Sequence, residues 1–331
     1  MRRIGIPLFF LILASLVILP VHAQNLSVTV TTDRSSCYLG ADQMFSNINI
    51  SGKVKQSGNS VSTALVSVLV DDTNGNPILL RTVNTGSTPQ FTPLVDARNP
   101  TLSDSSGTPL SSVKANSQAY FTSYVYNDNV VSESVLVVYT IFDADNQVIG
   151  IASDTLSIPG RDYAVPTTGI NIPSGAVNGV ATVYVDALTA WPSQGGAPFC
   201  NEVSNTFSIT NGRTSIGFKP GQASSGSYIV SFKLPIGSKI GSYSAYAGAY
   251  YSGSSTSSGS IQFTATLMGD LTGDNKVDYT DIVAYVNAYM AYNKTPPVYT
   301  STADLNFDGK IDYFDTILFA QGYVAYYNYG V

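Results

Sequence analysis

Apolar and polar residues alternate as soon as the chain passes residue 24. Leu26, Val28 and Val30 point one way and Ser27, Thr29 and Thr31 the other, the period of a half-buried strand. Ala64 to Val70, the turn Asn74-Gly75-Asn76-Pro77 and Ile78 to Val83 then read as a hairpin, because Asn-Gly tolerates positive φ. A second group of strands is predicted over Ala119 to Tyr126, Val135 to Phe142, Val148 to Ile158, Val180 to Thr189 and Thr206 to Thr210, with Asp143-Ala144-Asp145-Asn146 as a turn. A third group covers Ser227 to Leu234, Gly241 to Tyr251 and Gly259 to Leu267. The period changes near the C-terminus, where Ile282, Tyr285, Val286, Tyr289 and Met290 share one helical face. Ile317, Leu318, Phe319, Tyr323 and Val324 broadly match them, and the two stripes read as a shared core.

The fold class is therefore mainly β, with a small all-α unit at the end. The segments Thr32-Asp33-Arg34, Tyr38-Leu39-Gly40 and Ile50-Ser51-Gly52-Lys53-Val54 resemble the first strands of immunoglobulin-like and macroglobulin-like surface modules, and the second group resembles extracellular adhesion-like sandwiches. The resemblance implies two or three immunoglobulin-like β-sandwich modules and no activity. The expected division is a leader over 1–23, a first module over 24–92, a second over 93–212, and a helical unit over 268–331. Residues 213–267 are either a third module or the completion of the first around an inserted second.

Residues 1–23 have the layout of a secretory signal: Arg2 and Arg3, a largely apolar run from Ile4 to Leu19, then Pro20 and the small-residue site Val21-His22-Ala23. That run of 16 residues is shorter than the roughly 20 needed to span a bilayer, so a secreted, extracellular or cell-surface protein is expected, with no membrane span in the mature chain.

Composition narrows the chemistry. The chain has 331 residues with 16 Lys plus Arg against 22 Asp plus Glu, a net charge of −6 that becomes −8 once Arg2 and Arg3 leave with the leader. His22 is the one histidine, so the mature chain has no imidazole for a hydrolase base, a proton shuttle or a metal site. The acidic charge and the lack of a basic run argue against a nucleic-acid partner. Glu133 and Glu202 are the two glutamates, and 69 residues of separation say nothing of a glycosidase pair. Trp191 is either a sugar-stacking platform or a loop anchor beside Pro192. Cys37 and Cys200, 163 residues apart, either form a disulfide in an oxidising compartment or stay as two buried thiols. No catalytic constellation emerges, and the expectation is a protein that is not an enzyme.

The most informative stretch is a repeat with a spacing of 34. Residues 269–292 laid over 303–326 give ten identities, and eight of the chain's 20 aspartates lie in two twelve-residue loops. Calcium takes six to eight oxygens, and an EF-hand loop delivers them from positions 1, 3, 5, 7, 9 and 12, with a backbone carbonyl at 7. Those positions are Asp270, Thr272, Asp274, Lys276, Asp278 and Asp281 in the first loop. In the second they are Asp304, Asn306, Asp308, Lys310, Asp312 and Asp315. Gly309 supplies the sharp turn at position 6, and Asn275 takes its place in the first loop. Val277 and Ile311 at position 8 are the apolar residues that join paired loops. Four aspartates per loop repel one another without a cation, so two calcium ions are expected.

A loop followed by an exiting helix, duplicated, with Asp at position 12 and no entering helix, resembles a type I dockerin domain over 269 to about 327. The resemblance implies a calcium-dependent docking module captured by a cohesin-domain protein. Positions 10 and 11, here Tyr279-Thr280 and Tyr313-Phe314, would contact that partner, or else pack against the preceding β-module. The resulting expectation is a non-catalytic secreted or cell-surface protein whose sandwiches act as spacer or adhesion units. The alternative is a component of a polysaccharide-binding or polysaccharide-degrading complex, with glycan held by the β-modules. A third reading has the helical unit folded back on its neighbour, with no cohesin partner.

Overall fold

The computed structural model describes residues 25–39, 47–86, 92–215, 218, 220–224, 226–235 and 237–329. Residues 1–23, where a leader is expected, lie outside the described residues. Two β-sandwiches and a pair of helices, α1 (Tyr279–Tyr292) and α2 (Tyr313–Tyr329), make up the fold.

Strand pairing settles how the first and third β-groups combine. Asn47–Gln56 pairs with Leu26–Val28 at one edge and with Ser227–Lys233 at the other, all antiparallel. The facing sheet runs Ser36–Leu39, Ile261–Leu267, Gly241–Tyr251, Leu65–Asp71, Pro77–Asn84. Residues 227–267 thus complete the sandwich begun by residues 26–84, and the second sandwich is an insertion. Its sheets are Val95–Ser103, Ser117–Asn127, Asp162–Ala164 and Thr167–Ile172 on one side, and Val148–Ile158, Glu133–Phe142, Gly179–Leu188, Val203–Thr210 and Ser112–Lys114 on the other.

Alternation of side chains does the sorting. Ser117–Asn127 buries Ala119, Phe121, Ser123, Val125 and Asn127, while Gln118, Tyr120, Thr122, Tyr124 and Tyr126 face outward. Leu65–Asp71 is buried at every position, because one face meets the first core and the other meets the second sandwich. At Gly52 a Cβ would stand 1.8 Å from the Thr29 carbonyl oxygen, so only glycine lets the two strands approach that closely.

Between the sandwiches, Leu69 and Leu80 pack on Leu136, Val138 and Leu188, with Trp191 and Tyr246 at the margin. Trp191 is the loop anchor of its two readings. Thr140 Oγ1 donates to the Leu80 carbonyl at 2.9 Å across the same seam. Arg81 donates through Nε and Nη2 to both oxygens of Glu202, at 2.7 and 2.8 Å, and its guanidinium lies over the Tyr184 ring, 3.4 Å from the centroid. Burial alone would lower the Arg81 pKa, but the charge and hydrogen bonds of Glu202 raise it above the ordinary range. Nearby, burial and then the Glu202 charge push the Asp186 carboxyl well above the usual carboxylate range.

The cysteines do not form the disulfide considered from the sequence. Cys37 lies in the core of the first sandwich and Cys200 in that of the second, both as free thiols. Burial pushes each thiol up to about 12, so both pack as small apolar groups.

Candidate metal centre

The two loops fold alike because the same aspartates accept the same backbone N–H groups. Asp270 Oδ1 accepts from Asp274 N at 3.2 Å and its Oδ2 from Asn275 N at 2.9 Å, with a further bond from Gly273 N to Oδ1 at 2.7 Å. Asp304 likewise accepts from Asp308 N and Gly309 N, at 3.1 and 2.8 Å. Each loop has two left-handed residues, at positions 4 and 6. These are Gly273 (φ 76°) and Asn275 (φ 65°) in the first, Phe307 (φ 60°) and Gly309 (φ 84°) in the second. Position 6 behaves as the sequence predicts. The glycine of position 4 is replaced in the second loop by phenylalanine, where the left-handed backbone costs on the order of 1–2 kcal/mol.

Position 12 has a structural duty beside the ligand role that its spacing predicts. Asp281 and Asp315 are fully buried. Asp281 Oδ1 accepts from Leu271 N and Thr272 N at 2.9 and 3.0 Å, and its Oδ2 from Asp278 N at 2.9 Å. Asp315 repeats this with Leu305 N, Asn306 N and Asp312 N, at 2.7, 3.2 and 2.8 Å. The aspartate at position 12 thus closes the loop on itself.

The structure brings together three of the six residues expected to surround the first cation. Asp270, Asp274 and Asp281 each offer a carboxylate oxygen within 4.8 Å of the other two. Three hard, anionic oxygens at that separation fit a divalent cation of the calcium type. The Thr272 hydroxyl is turned onto Asp281 Oδ1 at 3.0 Å. Asp278 caps α1, accepting from Thr280 N at 2.8 Å in a reciprocal capping box with Asp281. Asp312 accepts in the same way from Phe314 N at 2.8 Å. The position 9 carboxylates thus start the helices. Asp308, Asn306 and Lys310 remain in the second loop, where Asn306 Nδ2 donates to Asp308 Oδ2 at 3.2 Å and Lys310 N to Asp308 Oδ1 at 2.9 Å. Lys276 N makes the matching bond to Asp274 Oδ1 at 3.0 Å.

Behind the loops, Tyr285 and Phe319 stack with centroids 4.9 Å apart and planes at 16°, and Ala288, Ala303, Leu305 and Ile311 fill the rest of this small core. Val277 and Ile311 are buried, as position 8 requires, but no β-bridge joins them. The helical stripes are only half right. Val286, Met290, Ile317 and Val324 are exposed, because each helix is covered along a narrower face than its apolar residues occupy.

Sequence reasoning missed two residues here. Tyr299 donates its hydroxyl to Asp304 Oδ2 at 2.6 Å, the first residue of the second loop. Phe307 lies on the first sandwich: its ring stacks on Tyr38 at 5.7 Å and 14°, and the Arg34 guanidinium sits 5.5 Å from its centroid. The aromatic residue at an otherwise left-handed position was the available signal. Tyr279, Tyr313 and Phe314 make no such contact with the sandwich and are 74%, 69% and 64% exposed, with Thr280 exposed beside them.

Among solved structures the chain is similar to the C-terminal domain of wzt, at 13% identity and a TM-score of 0.32, covering 38% of this chain and 79% of that one. It is also similar to a cycloisomaltooligosaccharide glucanotransferase from Paenibacillus sp., at 13% identity and 0.27, covering 34% and 14%. The CARDB domain of a Pyrococcus furiosus protein matches at 13% identity and 0.25, covering 35% and 90%. At these scores none of them bears on function. No curated protein matches the chain. Residues 268–320, which hold both loops, all of α1 and the first turns of α2, match the family model of the dockerin type I domain.

Proposed function

We propose that this chain is a non-catalytic, secreted or cell-surface protein that docks to a cohesin-type partner through its C-terminal calcium loops, with the two sandwiches as the unit that is anchored. The carrying observation is the exposure of Tyr279, Tyr313 and Phe314 at the helix starts, directly beside the aspartates of the two loops. Two calcium ions, one per loop, would be held by Asp270, Asp274 and Asp281 and by Asp304, Asp308 and Asp315, with Thr272, Asn306 and the loop carbonyls completing each shell. The cations offset the carboxylate repulsion that otherwise opposes the folded loops. Support for a non-catalytic role comes from the two glutamates, since Glu202 is engaged by Arg81 and Glu133 accepts from Asn129 Nδ2 at 2.8 Å. No helix among the described residues is long and apolar enough to cross a membrane. The test is capture of the full chain on immobilised cohesin domains with calcium and with excess chelator. Binding that survives the chelator sinks the proposal.

One observation favours the polysaccharide reading as a second function of the same protein. Tyr124, Tyr126 and Tyr163 form a cluster on the outer face of the second sandwich, with centroids 5.5 to 6.2 Å apart. Tyr124 and Tyr163 are 40% and 53% exposed, and Arg98 lies over Tyr126. Rings with an apolar face and a hydroxyl edge suit the alternating faces of a neutral sugar chain. Retention of the full chain on insoluble polysaccharide, lost in Tyr124→Ala and Tyr163→Ala, supports this reading. Passage of the unaltered chain without retention rejects it.

A further inference from the structure

The strained backbone of Phe307 and the place of its ring belong together. A phenylalanine gains nothing within its own loop from a φ of 60°, since the equivalent position of the first loop is a glycine. What that conformation achieves is to carry the ring out of the loop and onto Tyr38, with Arg34 alongside. Tyr38 belongs to the edge strand Ser36–Leu39 of the first sandwich, yet its ring packs on the core behind the calcium loops, with Leu305 and Ala303 among its members. Asp304 and Asp308 flank Phe307 on either side, at distances of three and one residues, so whatever fixes Phe307 fixes the path of both carboxylates. A second contact holds the same unit in place: a Cβ on Gly322 of α2 would stand 2.1 Å from the Met268 carbonyl oxygen, at the junction with the last sandwich strand.

We propose that Phe307 is a positioning residue through which the first sandwich sets the calcium affinity of the second loop. This rests on the calcium-loop reading given above. The dock on Tyr38 and Arg34 fixes the backbone of the second loop between Asp304 and Asp308, and by reciprocity calcium in that loop tightens the dock. The first loop, with glycine in the same place, has no such contact with the sandwich and binds calcium on its own terms.

The experiment is a calcium titration of the full chain by calorimetry, paired with hydrogen exchange of the strand Ser36–Leu39 with and without calcium. Tyr38→Ala changes no residue of either loop, but removes the ring on which Phe307 and the small core behind the loops pack. It is expected to weaken the second site about tenfold, or about 1.4 kcal/mol, and to leave the first unchanged. Phe307→Gly removes backbone strain and ring together. If the ring matters it weakens the second site, and if only strain matters it strengthens it. Calcium should raise protection of Ser36–Leu39 in the unaltered chain and not in Phe307→Gly. Unchanged affinity of the second site in Tyr38→Ala, or tighter binding in Phe307→Gly, overturns the proposal while leaving the loops as calcium sites. An unaltered chain that binds no calcium overturns both.

Discussion

Arg81 and Glu202 face each other across the seam between the two sandwiches in a two-pronged ion pair, and Glu202 also accepts from Thr82 N at 3.1 Å. The side chains are 15% and 10% exposed, so either charge left alone would be stranded away from water. Removing one member of a buried pair costs about 3–5 kcal/mol. Glu202→Ala is therefore expected to lower the melting temperature sharply in calorimetry, and Arg81→Met with Glu202→Leu to recover most of the loss. Equal stability of the single variant and the unaltered chain would contradict this.

Asp71 ends the buried strand Leu65–Asp71, and burial followed by the neighbouring Asp72 charge raises its carboxyl to about 6. The unfolded value is about 3.9, so the folded chain holds the extra proton between these values. Its contribution is complete below about pH 4 and is lost as pH rises through 6, a change on the order of 2 kcal/mol. Asp71→Asn should reduce the difference in melting temperature between pH 4 and pH 7.5, by stabilising the protein at the higher pH. An unaltered difference would show that the carboxyl titrates normally.

With one calcium ion proposed per loop, Asp308→Ala is expected to lower the stoichiometry from two to one and to weaken the far-ultraviolet helix signal of α2 at limiting calcium. Asp143→Ala gives the contrast. Asp143 lies in another acidic turn, where it accepts from Asp145 N, Gln147 N and Val177 N at 3.0, 3.1 and 3.0 Å. Losing those bonds from a buried site costs about 1–3 kcal/mol, while calcium stoichiometry stays at two. A chain that keeps two ions after Asp308→Ala has its sites elsewhere.

Gly52→Ala places a methyl group 1.8 Å from the Thr29 carbonyl oxygen. Strand Leu26–Val28 and its neighbour must then separate, and a loss of about 1–3 kcal/mol is expected, as for overpacked cores. Urea unfolding followed by tyrosine fluorescence would measure it.

The strands and the calcium loops were legible because each is local: a period of two for the strands, a twelve-residue spacing for the loops. What was not legible depended on contacts between distant segments. Nothing in Ser227–Lys233 says that its partner is Asn47–Gln56, since a buried strand pattern fits either edge of many sheets. The helical stripes misled for a similar reason: apolar residues such as Val286 and Met290 mark a face without saying what covers it. The aspartates at position 9 have a ligand's spacing, and the structure adds a second role that spacing does not display, since each carboxylate accepts from the helix N–H two residues on.

The insertion of one sandwich into the other also sets how the molecule carries tension. Strand Ile261–Leu267 leads directly to the calcium loops and runs parallel to Ser36–Leu39, with Leu267 opposite Leu39. A pull between the docking end and the segment preceding Ser36 drags these two strands lengthwise past each other, so their hydrogen bonds share the load rather than opening one at a time. The second sandwich joins the first at both of its ends and hangs beside this line, leaving its outer tyrosine face unstretched while the anchor is under force.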